Sequence, residues 1–129
     1  LEKNQQQTTS LNLESVLFAF YSKHYIKQNK FDDALLYANM SLNIREDIYQ
    51  EDNEFVLKAK ELLYKIYNLT GNISEINKLV SNFETIISSS REIPTEQQIN
   101  LLTIIIDYYK KNAFYRKIKE YLELYDEKI

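Results

Sequence analysis

The residues that could do chemistry are few and scattered along this chain of 129 residues. His24 is the one histidine, cysteine is absent, and no serine or carboxylate stands at a motif spacing from His24. Acid–base catalysis needs a base within hydrogen-bond reach of a reacting group, and a metal site needs several ligands together. Gly71 is the one glycine, which excludes a glycine-rich phosphate loop. We therefore predict a non-enzymatic protein with no catalytic residue, metal or cofactor.

The sequence contains eleven tyrosines, and aromatic side chains can stack on single-stranded nucleic acid. Several of them, however, fall at helical spacing on predicted core-facing positions, namely Tyr21, Tyr25, Tyr67, Tyr108 and Tyr125. Burial in a core accounts for these aromatic residues better than a stacking platform does. A formal net charge of −3 also disfavours binding to phosphates. We predict no direct nucleic-acid partner.

Composition favours a helical domain. Hydrophobic residues make up 44% and charged residues 27% of the chain, whereas glycine and proline occur once each. An all-β fold needs many more turn residues. No apolar window approaches the length of a membrane span, so we predict no membrane partner. Because the chain has no cysteine and hence no disulfide framework, the cytoplasm is the default expectation for its compartment. Residues 1–10, LEKNQQQTTS, are predicted as a flexible polar tail, and residues 11–129 as the folded helical domain.

Periodicity and capping signals predict six helices. Ser10 is the predicted N-cap of the first helix, and Gly71 ends the third because glycine accepts a positive φ. Asn72 with Glu75, and Thr95 with Gln98, have the spacing of capping boxes. The predicted helices are about Leu11–Gln28, Phe31–Tyr49, Glu54–Thr70, a fourth after Asn72, Glu96–Lys111 and Phe114–Glu127. The run Leu101–Ile106 is apolar nearly all round, so a β-strand is the rival interpretation there.

The predicted helices form three hairpins with a nearly constant period. The turns fall at Asn29, Gly71 and Asn112, which gives separations of 71 − 29 = 42 and 112 − 71 = 41 residues. Apolar anchors keep the same spacing from each turn: Tyr21, Leu63 and Ile104 eight residues before, Tyr25, Tyr67 and Tyr108 four before, and Phe31, Ile73 and Phe114 two after. Such a period indicates stacked helical repeats in which neighbouring hairpins share one core.

The first hairpin resembles the tetratricopeptide repeat. The resemblance lies in the pattern Phe18-x-x-Tyr21-x-x-x-Tyr25, Asn29-x-Phe31-x-x-Ala34 and Leu42. The continuation from Ala34 through Tyr49 to Glu54-Phe55-Val56 is similar to the variety of roughly 42 residues, found in kinesin light chains and in Rap- and PlcR-type peptide-pheromone receptors. The second hairpin has Ile76 where the family prefers alanine, and the third needs a slip of one residue to bring Ile118 there. The resemblance implies an all-α, right-handed stack of three hairpins.

The resemblance also implies a binding groove lined by the first helix of each hairpin. The implied groove residues are Lys23, Ile26, Lys27, Glu61, Lys65, Asn68, Leu102, Ile106 and Tyr109, with Ala19 beside them. Among these, Lys23, Lys27 and Lys65 form a cationic strip that would attract an acidic peptide or a carboxylate. Ala19 and Lys23 stand where the chaperone-binding members have lysine and asparagine, which disfavours chaperone C-termini as ligands.

Two functions follow from the resemblance. The first is a scaffold module that binds a protein or peptide, and the alternative is the ligand-sensing domain of a peptide-pheromone receptor that regulates transcription or phosphoryl transfer. The last predicted helix carries a wide apolar arc, Ile118, Tyr121, Leu122, Leu124, Tyr125 and Ile129. Apolar arcs of this kind mark interfaces. We therefore expect self-association through the third hairpin, or a further segment of a larger protein packed there.

Overall fold

A computed structural model describes residues 5–89 and 92–129, and all regular structure in these ranges is α-helical. The helices are α1 (Gln5–Lys27), α2 (Phe31–Ile48), α3 (Glu54–Thr70), α4 (Ile73–Ser89), α5 (Thr95–Lys111) and α6 (Tyr115–Lys128). The all-α prediction is confirmed. The run Leu101–Ile106 lies inside α5, so the β-strand interpretation is wrong. Among the described helices, none has both the length and the apolar character needed to cross a bilayer.

The chain divides into two compact units, an N-terminal unit, Leu1–Ile76, and a C-terminal unit, Asn77–Ile129. In the N-terminal unit α1 packs on α2, α2 packs on α3, and α1 also touches α3. In the C-terminal unit α5 packs on α6. Within each unit these contacts join helices that are neighbours in sequence, or the first helices of successive hairpins, as in stacked hairpins.

The first helix starts earlier than predicted. It begins at Gln5, so Ser10 lies inside the helix and does not cap it, and the predicted tail is wrong for residues 5–10. Glutamine is a good helix former, and the Thr9 hydroxyl donates to the Gln5 carbonyl at 3.0 Å within the first turns. The remainder of the predicted tail, residues 1–4, lies outside the described residues.

The predicted capping boxes have different outcomes. Asn72 caps α4 through a long bond of 3.4 Å from the Glu75 amide to its Oδ1, as predicted. Thr95 does not cap α5, because α5 begins at Thr95 itself and Pro94 is the residue before it. The Gln98 side chain instead donates to the Ile93 carbonyl at 2.7 Å. The Gln98 amide thereby supplies a donor to the Ile93 carbonyl beside Pro94, a residue that has no N–H of its own.

The three hairpin turns share one backbone geometry. A residue with positive φ occurs in each: Asn29 at 59°, Gly71 at 70° and Ala113 at 58°. Their separations are 71 − 29 = 42 and 113 − 71 = 42 residues. The amide that follows each of them donates to the carbonyl five residues earlier, at 2.9–3.0 Å: Lys30 to Tyr25, Asn72 to Tyr67 and Phe114 to Tyr109. This bond closes a helix end in the manner of a Schellman motif.

The third turn therefore lies one residue later than predicted. Asn112 keeps a φ of −99°, and its side-chain amide donates to the Tyr108 carbonyl at 2.8 Å. Asparagine tolerates the left-handed conformation well, which is why the sequence predicts the positive φ at Asn112. In the structure the Asn112 side chain instead bonds a carbonyl of the last turn of α5. The repeat anchors of the third hairpin are consequently Ile105 and Tyr109, and the period is constant without any slip.

The crossing of α1 and α2 is close and contains small residues. Ala34 is fully buried, as predicted, and the Ser22 hydroxyl donates to its carbonyl at 2.7 Å. Tyr21, however, is 43% exposed, although its ring packs edge-on against Tyr37 of α2 at a centroid distance of 5.4 Å. Of the other tyrosines predicted in the core, one is buried, Tyr67, and three are half-buried, Tyr25, Tyr108 and Tyr125.

Candidate functional site

In the N-terminal unit the predicted groove residues occupy equivalent positions on α1 and α3. One period of 42 residues relates Lys23 to Lys65 and Ile26 to Asn68. Because α1 and α3 touch and belong to successive hairpins, their equivalent side chains lie on the same side of the unit. We call this surface the α1–α3 face, and its residues are Lys23, Ile26, Lys27, Glu61, Lys65 and Asn68.

The α1–α3 face is exposed at its lysines and half-buried between them. Lys23, Lys27 and Lys65 are exposed, whereas Ile26, Glu61 and Asn68 are half-buried, and Ala19 beside them is buried. Within residues 5–89 and 92–129, none of the three lysines forms an ion pair. Other lysines do have carboxylate partners: Lys58 lies 3.9 Å from Glu54, and Lys111 lies 3.1 Å from Asp107.

The predicted contribution of α5 is wrong for two of its three residues. Leu102 is fully buried and Ile106 is 7% exposed, so neither lies on an exposed helix face equivalent to the α1–α3 face. The reason is the position of the third turn: two periods of 42 relate Ala19, Lys23 and Ile26 to Thr103, Asp107 and Lys110. Of these, Thr103 and Lys110 are exposed and Asp107 is half-buried.

Tyr109, the third predicted α5 residue, belongs to a polar cluster inside the C-terminal unit. Its hydroxyl donates to Glu84 Oε1 at 2.8 Å, and the Tyr121 hydroxyl donates to Glu84 Oε2 at 2.5 Å. The two tyrosine rings stack at a centroid distance of 5.9 Å. Burial raises the pKa of both phenols, and the hydrogen bond to Glu84 and its negative charge raise the pKa further. Glu84 thus joins α4, α5 and α6 while both phenols stay protonated.

A surface cavity of about 510 Å³ lies beside this cluster. Leu102 forms part of its floor, and Glu84, Gln98 and Lys128 supply polar groups. Its other lining residues are Ile87, Ser88, Tyr121 and Leu124. The polar groups are already engaged in part, since Glu84 accepts from two tyrosines and Gln98 donates to Ile93. The cavity between α4, α5 and α6 is therefore lined by polar and apolar side chains in similar measure.

A second polar network, in the N-terminal unit, surrounds a buried arginine. Arg45 is 6% exposed; its Nε donates to Ser15 Oγ at 3.2 Å, and one terminal nitrogen donates to the Phe55 carbonyl at 3.0 Å. Ser41 donates to the Ser15 carbonyl at 2.8 Å. Burial lowers the pKa of the Arg45 guanidinium. Sequence reasoning missed this network, because an arginine near a helix C-terminus reads as a solvated charge that complements the dipole.

His24 lies on the exposed side of α1. Its Nε2 is 2.9 Å from Gln28 Nε2, and its ring lies edge-on to Tyr25 at 5.8 Å. Both contacts are local, because Tyr25 is the next residue of α1 and Gln28 lies in the turn that follows it, and the Gln28 amide is a partner that does not ionise. In the described ranges, no three histidine, cysteine or carboxylate side chains are grouped as metal ligands would be.

Comparison of the chain with family models, with curated proteins and with solved structures finds no match. The α1–α3 face offers three exposed ammonium groups around a half-buried floor that contains Ile26 and Asn68. Such a surface can attract carboxylates through the lysines and can hydrogen-bond a peptide backbone through Asn68.

Proposed function

We propose that this chain is a non-enzymatic interaction module of the tetratricopeptide type, which acts in the cytoplasm and binds an acidic segment of a protein or peptide on its α1–α3 face. The single observation that carries the proposal is the set of three exposed lysines without a carboxylate partner among the described residues. The ligand is an extended or helical segment whose carboxylates face these lysines.

The constant period supports the tetratricopeptide part of the proposal. Turns at Asn29, Gly71 and Ala113 repeat the same φ and the same closing hydrogen bond every 42 residues. A repeat of this length places equivalent residues of successive first helices side by side. A surface built in this way suits a partner that runs across several helices, and it is already formed before the partner binds.

Electrostatics supports the acidic ligand. The chain has a net charge of −3, whereas the α1–α3 face carries three lysines and one glutamate, Glu61, so its local charge is positive. Each exposed lysine–carboxylate pair contributes about 0.2–1 kcal/mol, and salt screens it. Three such pairs give weak, salt-sensitive binding, which the half-buried floor at Ile26 and Asn68 supplements.

A peptide titration followed by NMR tests the proposal. The probe is a short acetylated peptide in which glutamate alternates with alanine, and the control peptide has glutamine in place of glutamate. We expect the amide signals of α1 and α3 around Lys23 and Lys65 to shift with the first peptide and not with the second. Raising the salt concentration should weaken the binding.

Charge reversal tests which lysines are responsible. The double variant Lys23→Glu/Lys65→Glu should bind the acidic peptide about 5- to 30-fold more weakly, since reversal removes two attractive pairs and adds repulsion. The matched control is Lys30→Glu/Lys119→Glu, which changes the net charge equally at two exposed lysines off the face. An equal loss in both double variants would mean that net charge alone governs binding, and the α1–α3 face would lose its role.

A further inference from the structure

The cavity in the C-terminal unit is lined by two side chains of opposite charge, Glu84 on α4 and Lys128 on α6. Among the residues that the structure describes, neither side chain forms an ion pair, with the other or with a third residue. Both charges therefore remain available to a molecule in the cavity. The cavity volume of about 510 Å³ lies within the range of about 300–1,000 Å³ that is usual for small-molecule sites.

The carboxylate of Glu84 is oriented by hydrogen bonds that leave its charge intact. Each of its oxygens accepts one bond, from Tyr109 at 2.8 Å and from Tyr121 at 2.5 Å. A carboxylate offers about four lone-pair sites, so each oxygen can accept one bond more. Both phenols are neutral donors, because burial and the neighbouring Glu84 raise the pKa of each. The three side chains together present one negative charge whose position is fixed before a ligand binds, which lowers the cost of binding.

The remaining lining adds an acceptor and an apolar surface. Gln98 donates through Nε2 to the Ile93 carbonyl, and its Oε1 accepts no hydrogen bond from the described residues. The apolar side chains of the lining are Ile87, Leu102 and Leu124. A ligand that suits this lining has an ammonium group for Glu84, an anionic group for Lys128 and an apolar body. A ligand with a single charge would use only one of the two charged side chains.

The repeat shows why there is room at this place. One period of 42 residues relates Ile87 to Arg45 and Leu102 to Lys60. In the N-terminal unit these two positions hold long cationic side chains, and both are buried, at 6% and 7% exposure. Isoleucine and leucine are shorter and uncharged, and the cavity lies beside them. The third hairpin thus combines a space with a carboxylate that no buried cation neutralises.

We propose that this cavity binds a small zwitterion of the amino-acid class whose side chain is apolar. The ligand's ammonium group donates to Glu84, its carboxylate lies near Lys128, and its side chain contacts Leu102 and Leu124. A free amino acid and a short peptide share this chemistry and differ in the separation of their two charges. The cavity shares no residue with the α1–α3 face, so the inference is independent of the proposed function.

An NMR titration of the full chain with leucine and with leucyl-leucine tests the proposal. The amide signals of residues 84–88, 98–102 and 121–128 should shift with at least one probe, and the probe that binds more tightly distinguishes a free amino acid from a peptide. Its N-acetyl derivative, which lacks the ammonium group, should bind about tenfold or more weakly, and its amide, which lacks the carboxylate, about two- to fivefold more weakly. No shift with either probe at millimolar concentration, or equal binding of both derivatives, would overturn the proposal.

Two variants assign the charges. Glu84→Gln should weaken binding of the probe about tenfold or more, and circular dichroism checks that this variant keeps its helices. Lys128→Met changes an exposed residue and should weaken binding about two- to fivefold. The matched controls, Glu96→Gln on α5 and Lys119→Met on α6, remove the same charges at exposed positions outside the cavity lining and should bind as the unaltered chain does. Unchanged binding by Lys128→Met, or an equal loss in the controls, would contradict the assignment of the two charges to this cavity and overturn the proposal.

Discussion

Gly71 and Ala113 occupy the same place in two equivalent turns, with φ of 70° and 58°, yet they differ in residue type. Exchanging the types, Gly71→Ala and Ala113→Gly, should change stability in opposite directions. A Cβ added at Gly71 would meet no atom within 4 Å, so the effect of that substitution is confined to the backbone. The pair of variants therefore measures the effect of the left-handed conformation on stability separately from any effect of side-chain packing.

Two terms set the magnitude. A residue with a Cβ is less stable in the left-handed region by about 1–2 kcal/mol of free energy. Glycine, in turn, has more freedom to lose when the chain folds, which costs about 0.4–1 kcal/mol relative to alanine. The difference leaves Gly71→Ala destabilising by about 0.5–1 kcal/mol, and Ala113→Gly stabilising by a similar amount. For a chain of this size the shift in Tm is about 3–5 °C per kcal/mol.

Thermal and urea denaturation followed by circular dichroism at the helix band measure both changes. Asn112→Gly serves as the control, because Asn112 has an ordinary φ of −99° and its side chain holds the Tyr108 carbonyl. It should lower stability, whereas Ala113→Gly one residue later should raise it. If Ala113→Gly lowered the free energy of unfolding, or if Gly71→Ala left it unchanged, the turn geometry would be wrong.

Two further perturbations concern packing and proton binding. Ala34→Leu should lower the free energy of unfolding by about 1–3 kcal/mol, because it overpacks a fully buried position. The control Leu36→Ala, on the exposed side of α2, should change it by no more than about 0.5 kcal/mol. Denaturation midpoints measure both changes. Stability should be retained up to the ordinary phenol pKa of 10 and fall as the pH rises further, because the unfolded chain releases the protons of Tyr109 and Tyr121 before the folded chain does. Absorbance titration would measure the pKa values of the two phenols. The variant Glu84→Gln should lower both values. Ordinary pKa values for Tyr109 and Tyr121 in the unaltered chain would contradict the prediction.

The helical architecture was largely predictable because helix boundaries depend on local signals. Gly71 and Asn29 are residue types that favour positive φ, and both turns fall where the sequence indicates. Ala113 carries no such signal, since alanine rarely adopts this conformation, and the neighbouring asparagine is the more natural choice. The third hairpin was consequently placed one residue out of register, and that single error put Leu102 and Ile106 on a surface when they are buried.

The inner side of α1 was less predictable, because the close crossing with α2 reverses the usual assignment of apolar and polar residues. Ser15 and Ser22 are fully buried there, whereas Phe20 is exposed. A pattern argument assigns large apolar residues to the core and cannot know that two helices approach closely enough to need serine. The contacts of Glu84 with Tyr109 and Tyr121 were equally hidden, because they join residues 25 and 37 positions apart.

The contacts of the buried Arg45 guanidinium imply that one 42-residue repeat of the sequence is not an independent folding unit. Its two hydrogen-bond acceptors come from α1 and α3, so they belong to different hairpins. A hairpin cut out after Tyr49 would lack the Phe55 carbonyl and would leave a positive charge in the interior with fewer acceptors, which is costly. The smallest autonomous piece of the N-terminal unit therefore includes α3, and rearranging this protein by whole 42-residue blocks would cut through the contacts that make its first hairpin stable.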